Sequence, residues 1–287
     1  MDSIIFHKMS GAGNDFIMID TSANLKFNLT DSIIRKLCDR HDGIGADGII
    51  LLSGSEKFVF EMDYFNADGS TGSLCGNGAR CAIKFASDNK WLKGNNLKFL
   101  SNGVEYSGEV LPGNEIKFNL NPPSKIKYNF KVKAFNQLIN AHFADTGSPH
   151  VVIKINEILI EPNRPNYYFK SFDNFPIEQI GREIRYLPEF APGGTNVNFV
   201  LIIDGEIHMR TYERGVESET LSCGTGSAAA AIICNVIDKL NLPVTIITKR
   251  NEKLFVNFEI ENQRVKNLSL SGPVKTVFSG SVPINFF

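Results

Sequence analysis

CGNGARCAIKFA (residues 75–86) and CGTGSAAAAII (residues 223–233) are two copies of one motif, Cys-Gly-x-Gly followed at once by a run of small and apolar residues. The glycines let the main chain turn tightly and approach a ligand closely, and the run that follows has the pattern of a helix. Each cysteine is therefore predicted at a helix N-terminus. There the N–H groups without helical partners and the macrodipole favour negative charge, so a thiol falls from about 8.5 toward about 3.5–7.5 and becomes a usable base or nucleophile. The same N–H groups also hold carboxylates. Two such termini meeting at one point would grip a carboxylate from both sides and set one sulfur on each face of the adjacent carbon. That is a geometry for inverting a stereocentre.

The copies lie 148 residues apart (223 against 75), and the same offset brings other features into register. Tyr64 falls on Tyr212, and Gly45, ahead of the apolar run GIILL, falls on Gly193, ahead of NVNFVLI. A looser echo joins SGAGNDFIMID (10–20) to DTGSPHVVI (145–153). A period this long points to two similar domains, since solenoid repeats are much shorter. Strand patterns run through IIFHKMS, DFIMID, GIILLS, KFVFEMDYF, NLKFLS, VEYSGEV and EIKFNL in the first half, with helices near 31–40 and after Cys75. The second half offers HVVIKI, NVNFVLIID, EIHMRTYE, VTIITK, LFVNFEI and NLSLSG as strands, with helices near 177–184 and after Cys223. Consecutive prolines in Asn121-Pro-Pro-Ser124 mark the linker, so the halves divide at 121/122. The fold class is α+β, a sheet wrapped on one central helix in each half, with the active site in the cleft between halves.

The chain has 287 residues, 43% hydrophobic and 21% charged, with a formal net charge of −1. That is globular composition, with no broad electrostatic footprint for nucleic acid or an anionic membrane, so the partner is expected to be a small molecule. MDSIIFHKMSG lacks the basic and apolar regions of a signal peptide, and no apolar run reaches membrane length. A cytoplasmic protein is the expectation. Five cysteines without a secretion signal read as thiols, and Cys38, Cys81 and Cys234 as small buried hydrophobes. The sequence leaves oligomeric state open, a homodimer included.

Each chemical reading has a plainer competitor. If a carbon lies between Cys75 and Cys223, each sulfur about 3–3.5 Å from it, a disulfide between them is an oxidised, inactive side state. Zinc is disfavoured because no CxxC or paired histidine accompanies either cysteine, so no metal is expected. GAGNDF and the two GxG segments lack the third glycine and downstream acid of a dinucleotide loop. Asn14, Asp15 and Asn66 also suit simple turns. Glu213 and Arg214 also suit a surface ion pair, yet Arg214 is equally suited to take a second carboxylate bidentately, and Glu213 to orient a thiol. His150 is as often structural as functional.

KMSGAGNDF, DRHDGIGADG, FNADGS with CGNGARC, SPH, NVNF, YERG and CGTG occur here in the order and spacing of diaminopimelate epimerase, which this chain resembles over most of its length. The resemblance implies two pseudo-symmetric halves, each a mixed sheet around a central helix, spanning 1–121 and 122–274, with the tail 275–287 returning to complete the first. It implies cofactor-independent epimerisation of LL-2,6-diaminopimelate to the meso isomer, on the route to lysine and, in many bacteria, to cell-wall cross-links. Carried over by position, Cys75 and Cys223 are the acid/base thiols, titrating as a coupled pair. Gly76, Asn77, Gly224 and Thr225 offer N–H groups to the carboxylate beside the reacting carbon. His150 and Glu213 tune the thiols, and Asn14, Asn66, Asn196, Glu213 and Arg214 hold the substrate, its distal amino-acid end above all. Many members carry Asn-Pro-His where this chain has Ser148-Pro149-His150, and Gln where it has Gly48. Both departures are expected on the substrate's side of the pocket, with water or a neighbour completing distal recognition. Two rivals stand beside this reading. One is a proline, hydroxyproline or other amino-acid racemase, for which Arg214 has no distal carboxylate to bind. The other is a non-enzymatic redox protein using the two cysteines as a switch, which leaves the Asn, His and Glu-Arg set unexplained.

Overall fold

The computed structural model describes residues 3–23, 29–72 and 74–283. The chain forms two compact units, Met1–Asn119 with Ser271–Phe287, and Leu120–Leu270.

In the first unit, β1 (Ser3–Gly11), β2 (Asn14–Asp20), α1 (Asp31–Cys38), β3 (Gly48–Ser53), β4 (Glu61–Asn66), α2 (Gly76–Asp88), β5 (Asn96–Ser101), β6 (Val104–Val110) and β7 (Ile116–Asn119) follow one another. The C-terminal strand Val274–Pro283 pairs antiparallel with β1. From there the sheet runs β1–β2 antiparallel, β2–β3 parallel, β3–β4 antiparallel, β4–β5 parallel, then β5–β6 and β6–β7 antiparallel. Helix α2 packs on strands from both ends of this order, and every residue from Gly76 to Ala86 except Lys84 is buried. Helix α1 starts at Thr30, whose hydroxyl accepts from the Ile33 N–H, and buries Ile34, Leu37 and Cys38.

The second unit contains β8 (Lys125–Ala134), β9 (Gln137–Asp145), β10 (Pro149–Lys154), α3 (Ile177–Arg185), β11 (Asn196–Ile203), β12 (Glu206–Glu213), β13 (Ser218–Thr220), α4 (Gly224–Asp238), β14 (Val244–Ile247), β15 (Lys253–Glu261) and β16 (Arg264–Gly272). Its sheet runs β8–β9 and β9–β10 antiparallel, β10–β11 parallel, β11–β12 antiparallel, β12–β14 parallel and β14–β15 antiparallel. Strand senses thus repeat those of the first unit, step for step. Helix α4 takes the place of α2 and is buried from Ser227 to Cys234. Each unit is a mixed sheet around a central helix, the α+β architecture that the duplicated motif implied.

Among the described residues, five two-residue hairpins join these strands, each with both central residues at positive φ: Ala12-Gly13, Asn102-Gly103, Phe135-Asn136, Asp204-Gly205 and Asn262-Gln263. That conformation matches the twist of the strands it joins. Strands β8, β9 and β13 and the C-terminal strand go beyond the strands read from the sequence. Lysine alternates along β8, and its turn to β9 is Phe-Asn rather than Asn-Gly, so neither end carries the usual signal. Among the described residues no helix is long and apolar enough to cross a membrane.

Helix α3 approaches β12 through Gly181, where an added Cβ would meet Tyr212 Cβ at 2.5 Å. Gly181→Ala should therefore cost about 1–3 kcal/mol through overpacking, lowering the thermal midpoint by several degrees. Gly54→Ala, where nothing lies within 4 Å, should leave it unchanged. Equal melting curves for the two variants would contradict this packing.

Candidate active site

Cys75 and Cys223 are the N-cap residues of α2 and α4, both with extended backbone (φ −97°, ψ 118° and φ −130°, ψ 113°). The second glycine of each motif lets the helix approach a strand. A Cβ on Gly78 would lie 2.8 Å from Ile50 Cδ1, and one on Gly226 would lie 2.3 Å from Asn198 Oδ1. Ile50 and Asn198 are themselves 148 residues apart (198 against 50), so the duplicated glycine meets the duplicated strand position. All five cysteines carry thiols, and burial pushes Cys38, Cys81 and Cys234 up to about 12, which keeps them protonated and inert.

Around Cys223 the sulfur accepts from the Gly226 N–H at 3.4 Å and lies 3.6 Å from the Thr225 hydroxyl. The Gly226 N–H favours negative charge on sulfur, as the Thr225 hydroxyl does when it donates. Thr225 Oγ1 is 2.9 Å from His150 Nε2, and Ser148 Oγ is 3.1 Å from the same nitrogen. His150 Nδ1 lies 3.1 Å from Asn198 Nδ2, whose amide is oriented by donation to the Val151 carbonyl and by the Thr211 hydroxyl donating to its oxygen. An amide nitrogen only donates, so Nδ1 is the acceptor and the imidazole proton sits on Nε2. Burial, then the positive Arg214, push His150 down to about 3. It is a neutral, fixed N–H donor one hydroxyl away from Cys223.

Asn196, at the start of β11, donates to Ser148 Oγ (3.0 Å) and the Pro149 carbonyl (2.9 Å), and accepts the Arg214 backbone N–H (2.9 Å). Ser148, His150, Asn196, Arg214, Gly224 and Thr225 thus cluster at one end of the second unit. Glu213 closes β12 and accepts from the Thr220 hydroxyl at 2.8 Å. Beneath them Arg185 donates to Glu217 and to the Gly193 carbonyl. Its guanidinium fills the space that a side chain at Gly194 would need, fixing the loop before β11.

In the first unit Asn77, next to Cys75 and Gly76, donates to Asn14 Oδ1 (2.7 Å) and accepts from buried Arg80 (2.6 Å). Asn14 donates in turn to Asp47 (2.9 Å), and Arg40 bridges Asp47 to Asp15, which also pairs with buried Lys8 at 2.8 Å. Burial works to raise the Asp15 carboxyl, but hydrogen bonds from Arg40 and Lys8 outweigh it and hold it at about 2. Asn66, at the end of β4, pairs across the sheet with Gly48 and donates to Ser70 Oγ. The expectation for Gly48 needs correction. A Cβ there would strike the Phe65 carbonyl at 2.4 Å and the Tyr64 ring at 2.6 Å, so the position is reserved for glycine by packing and is no vacated ligand position. Asn198, Thr211, Asp47 and Arg40 escaped the sequence reading. A polar residue at 198 where its duplicate is Ile50 is the signal that marks the first of them. Among the described residues no cluster of three or more His, Cys, Asp or Glu is placed to hold a metal ion.

The family model for diaminopimelate epimerase matches residues 6–126 and 142–277. The diaminopimelate epimerase of Chlorobaculum tepidum is 39% identical over 279 residues, covering 96% of this chain and all of that one. That of Hydrogenobaculum sp. is 38% identical over 295 residues, covering 99% and 100%. Among solved structures, a PhzF-family phenazine biosynthesis protein from Bacillus anthracis superposes with a TM-score of 0.73 at 15% identity, covering 99% of this chain and 100% of that one. A hydroxyproline epimerase from Agrobacterium vitis superposes with a TM-score of 0.65 at 11% identity, covering 99% and 93%. At such low identity these two speak to the fold alone. With the duplicated cysteine caps, a family match through nearly the whole chain and full-length relatives above 30% identity in agreement, the chain belongs to the diaminopimelate epimerase family.

Proposed function

We propose that this protein interconverts LL- and meso-2,6-diaminopimelate by two-thiol acid/base catalysis. The observation that carries the reading is the pair of cysteines, each capping the buried central helix of its own unit. One thiolate takes the α-proton to become a thiol, and the pair of electrons is left on carbon. The second thiol then donates its proton to the opposite face of that carbon and becomes the thiolate. Backbone N–H groups of Gly76, Asn77, Gly224 and Thr225 stabilise the carboxylate as negative charge spreads into it. Arg214, Asn196, Asn14 and Asn66 hold the distal amino-acid end, and Glu213 orients a thiol. Holding the reacting groups together and the thiols' basicity supply the acceleration.

The two thiols differ in what backs them. His150 pairs across the parallel β10–β11 ladder with Asn196, and the corresponding residue on β2, opposite Gly48, is Phe16. Ile50 stands where Asn198 stands. Of the donor chain from Asn198 through His150 and Thr225 to Cys223, the first two members therefore have apolar counterparts in the first unit, and Thr225 has Asn77. This supports Cys223 as the thiolate at rest, with Cys75 as the thiol.

Proton NMR of LL-diaminopimelate in deuterium oxide, with no cofactor added, should show exchange at one centre and formation of the meso isomer. Cys75→Ala and Cys223→Ala should each lower turnover by about 10²–10⁴-fold. Exchange at the wild-type rate in either variant would overturn the two-thiol reading. Arg214→Ala should suppress turnover of diaminopimelate mainly through KM, whereas an unchanged KM would remove Arg214 from the substrate's distal end. In these two variants, each of which keeps one of the pair, iodoacetamide should alkylate Cys223 with its pH inflection below that of Cys75, and Asn198→Leu should narrow the gap. Identical inflections would sink the assignment of the resting thiolate.

A further inference from the structure

Strand β8 reads Lys125-Ile-Lys-Tyr-Asn-Phe-Lys-Val-Lys-Ala134. On a regular strand, residues three apart point to opposite faces, which would part Lys127 from Phe130. Here the register shifts between them. Lys127 pairs with Phe143 and Phe130 with Ala141, two positions apart on β9 and hence on one face. The extra residue is absorbed at a bulge, with Asn129 at φ 53° and its N–H donated to His142 Nδ1. The bulge brings Lys127 onto the face of Phe130, with Nζ 4.5 Å from the ring centroid, while Lys125 Nζ stands 5.9 Å from Phe143. Phe143 stacks on Phe190 at 6.3 Å, and Phe130 meets Phe190 edge-on at 6.4 Å. The lysine heads are thereby held over an aromatic floor.

These side chains line a cavity of about 400 Å³ wholly within the second unit, with Lys131, Glu189 and Arg214 on its walls. That volume falls among pockets for small organic ligands, which span about 300–1,000 Å³. Lys125, Lys127 and Arg214 face a single carboxylate there, Lys131 standing at the rim on the other face of β8. Elsewhere in this unit Lys154, Arg185, Arg210 and Lys249 are in ion pairs, while, among the described residues, Lys133, Lys170 and Arg182 stand singly on other surfaces. Among the described residues no ion pair involves Lys125, Lys127, Lys131 or Arg214. Uncompensated charge of one sign in a concave, partly apolar site focuses the field on whatever enters. Diaminopimelate does not account for it. That molecule has no net charge near neutrality, and its distal carboxylate needs one cation.

We propose that this cavity binds a small organic polyanion, a phosphate ester or a polycarboxylate, through Lys125 and Lys127. Arg214 serves both this ligand and the distal carboxylate, so a bound polyanion competes with substrate. The binding itself stands apart from the epimerase reading and is measured without turnover. Calorimetric titration of the full chain at low ionic strength with pyrophosphate, and separately with citrate, should give submillimolar binding of at least one. Preference for pyrophosphate marks a phosphate ester as the ligand class, and preference for citrate marks a polycarboxylate. The double variant Lys125→Gln/Lys127→Gln, checked for its fold by circular dichroism, should weaken binding at least about tenfold, or 1.4 kcal/mol. Lys133→Gln, on the same strand but outside the cavity, should leave it unchanged. Absence of binding to both anions at millimolar concentration overturns the proposal. So does equal weakening by Lys133→Gln, which would reduce the effect to diffuse surface charge.

Discussion

A helix buried along its length can present polar backbone only at its ends, and both halves of this molecule are organised around that constraint. Helices α2 and α4 satisfy their interior N–H groups internally, but the first turn of any helix leaves donors without helical partners. Here those donors begin at a cysteine. Small residues along each helix, Ala79 and Ala82 in one and Ala228 to Ala231 in the other, let a curled sheet close around it. Gly78 and Gly226 take the closest approach. The sheet's mixed strand order is one solution to covering a cylinder on all sides, and the chain uses it twice.

The two N-termini share geometry and differ in chemistry. In the first unit the polar network lies beside the cap, running from Arg80 through Asn77 and Asn14 to Asp47, Arg40, Asp15 and Lys8. The charges of buried Lys8 and half-buried Asp15 are offset because Asp15 accepts from both Lys8 and the exposed Arg40. In the second unit the network lies behind the cap, through Thr225, His150 and Asn198. A neutral imidazole there avoids the cost of a buried charge and still polarises the hydroxyl that reaches the sulfur. Duplication supplied the frame, and substitution at three equivalent places, Phe16 against His150, Ile50 against Asn198 and Asn77 against Thr225, set the chemistry apart.

The central helices, their cysteine caps and most strands were legible because glycine spacing and apolar periodicity are local signals and because each appeared twice. The roles of Asn14 and Asn196 were legible only through resemblance, since nothing local tells a turn asparagine from a ligand; what the structure adds is their place in the hydrogen-bond networks beside each cap. What stayed hidden has physical reasons. Strands β8 and β9 find no partners 148 residues earlier, because their counterparts in the first unit are β1 and a strand from the far end of the chain. Asn198 lies within an otherwise apolar strand, where one polar residue reads as noise until its partner His150 is placed. Gly48 misled because sequence shows a missing side chain and gives no hint of the carbonyl and ring that exclude one.

The C-terminal strand has a consequence for the order of events in the life of the chain. Strand β1 leaves the ribosome about 260 residues ahead of its partner on one edge, Val274–Pro283. The stretch Leu120–Leu270 is contiguous and holds a complete sheet and helix pair, so it has all it needs while synthesis is still under way. The amino-terminal unit meanwhile waits with an open edge, the state in which a sheet is most prone to pair with the wrong partner. Closing a loop of this span adds little to the equilibrium cost, because that cost grows only with the logarithm of length. The burden is therefore one of timing: the first half to be made is the last to be finished.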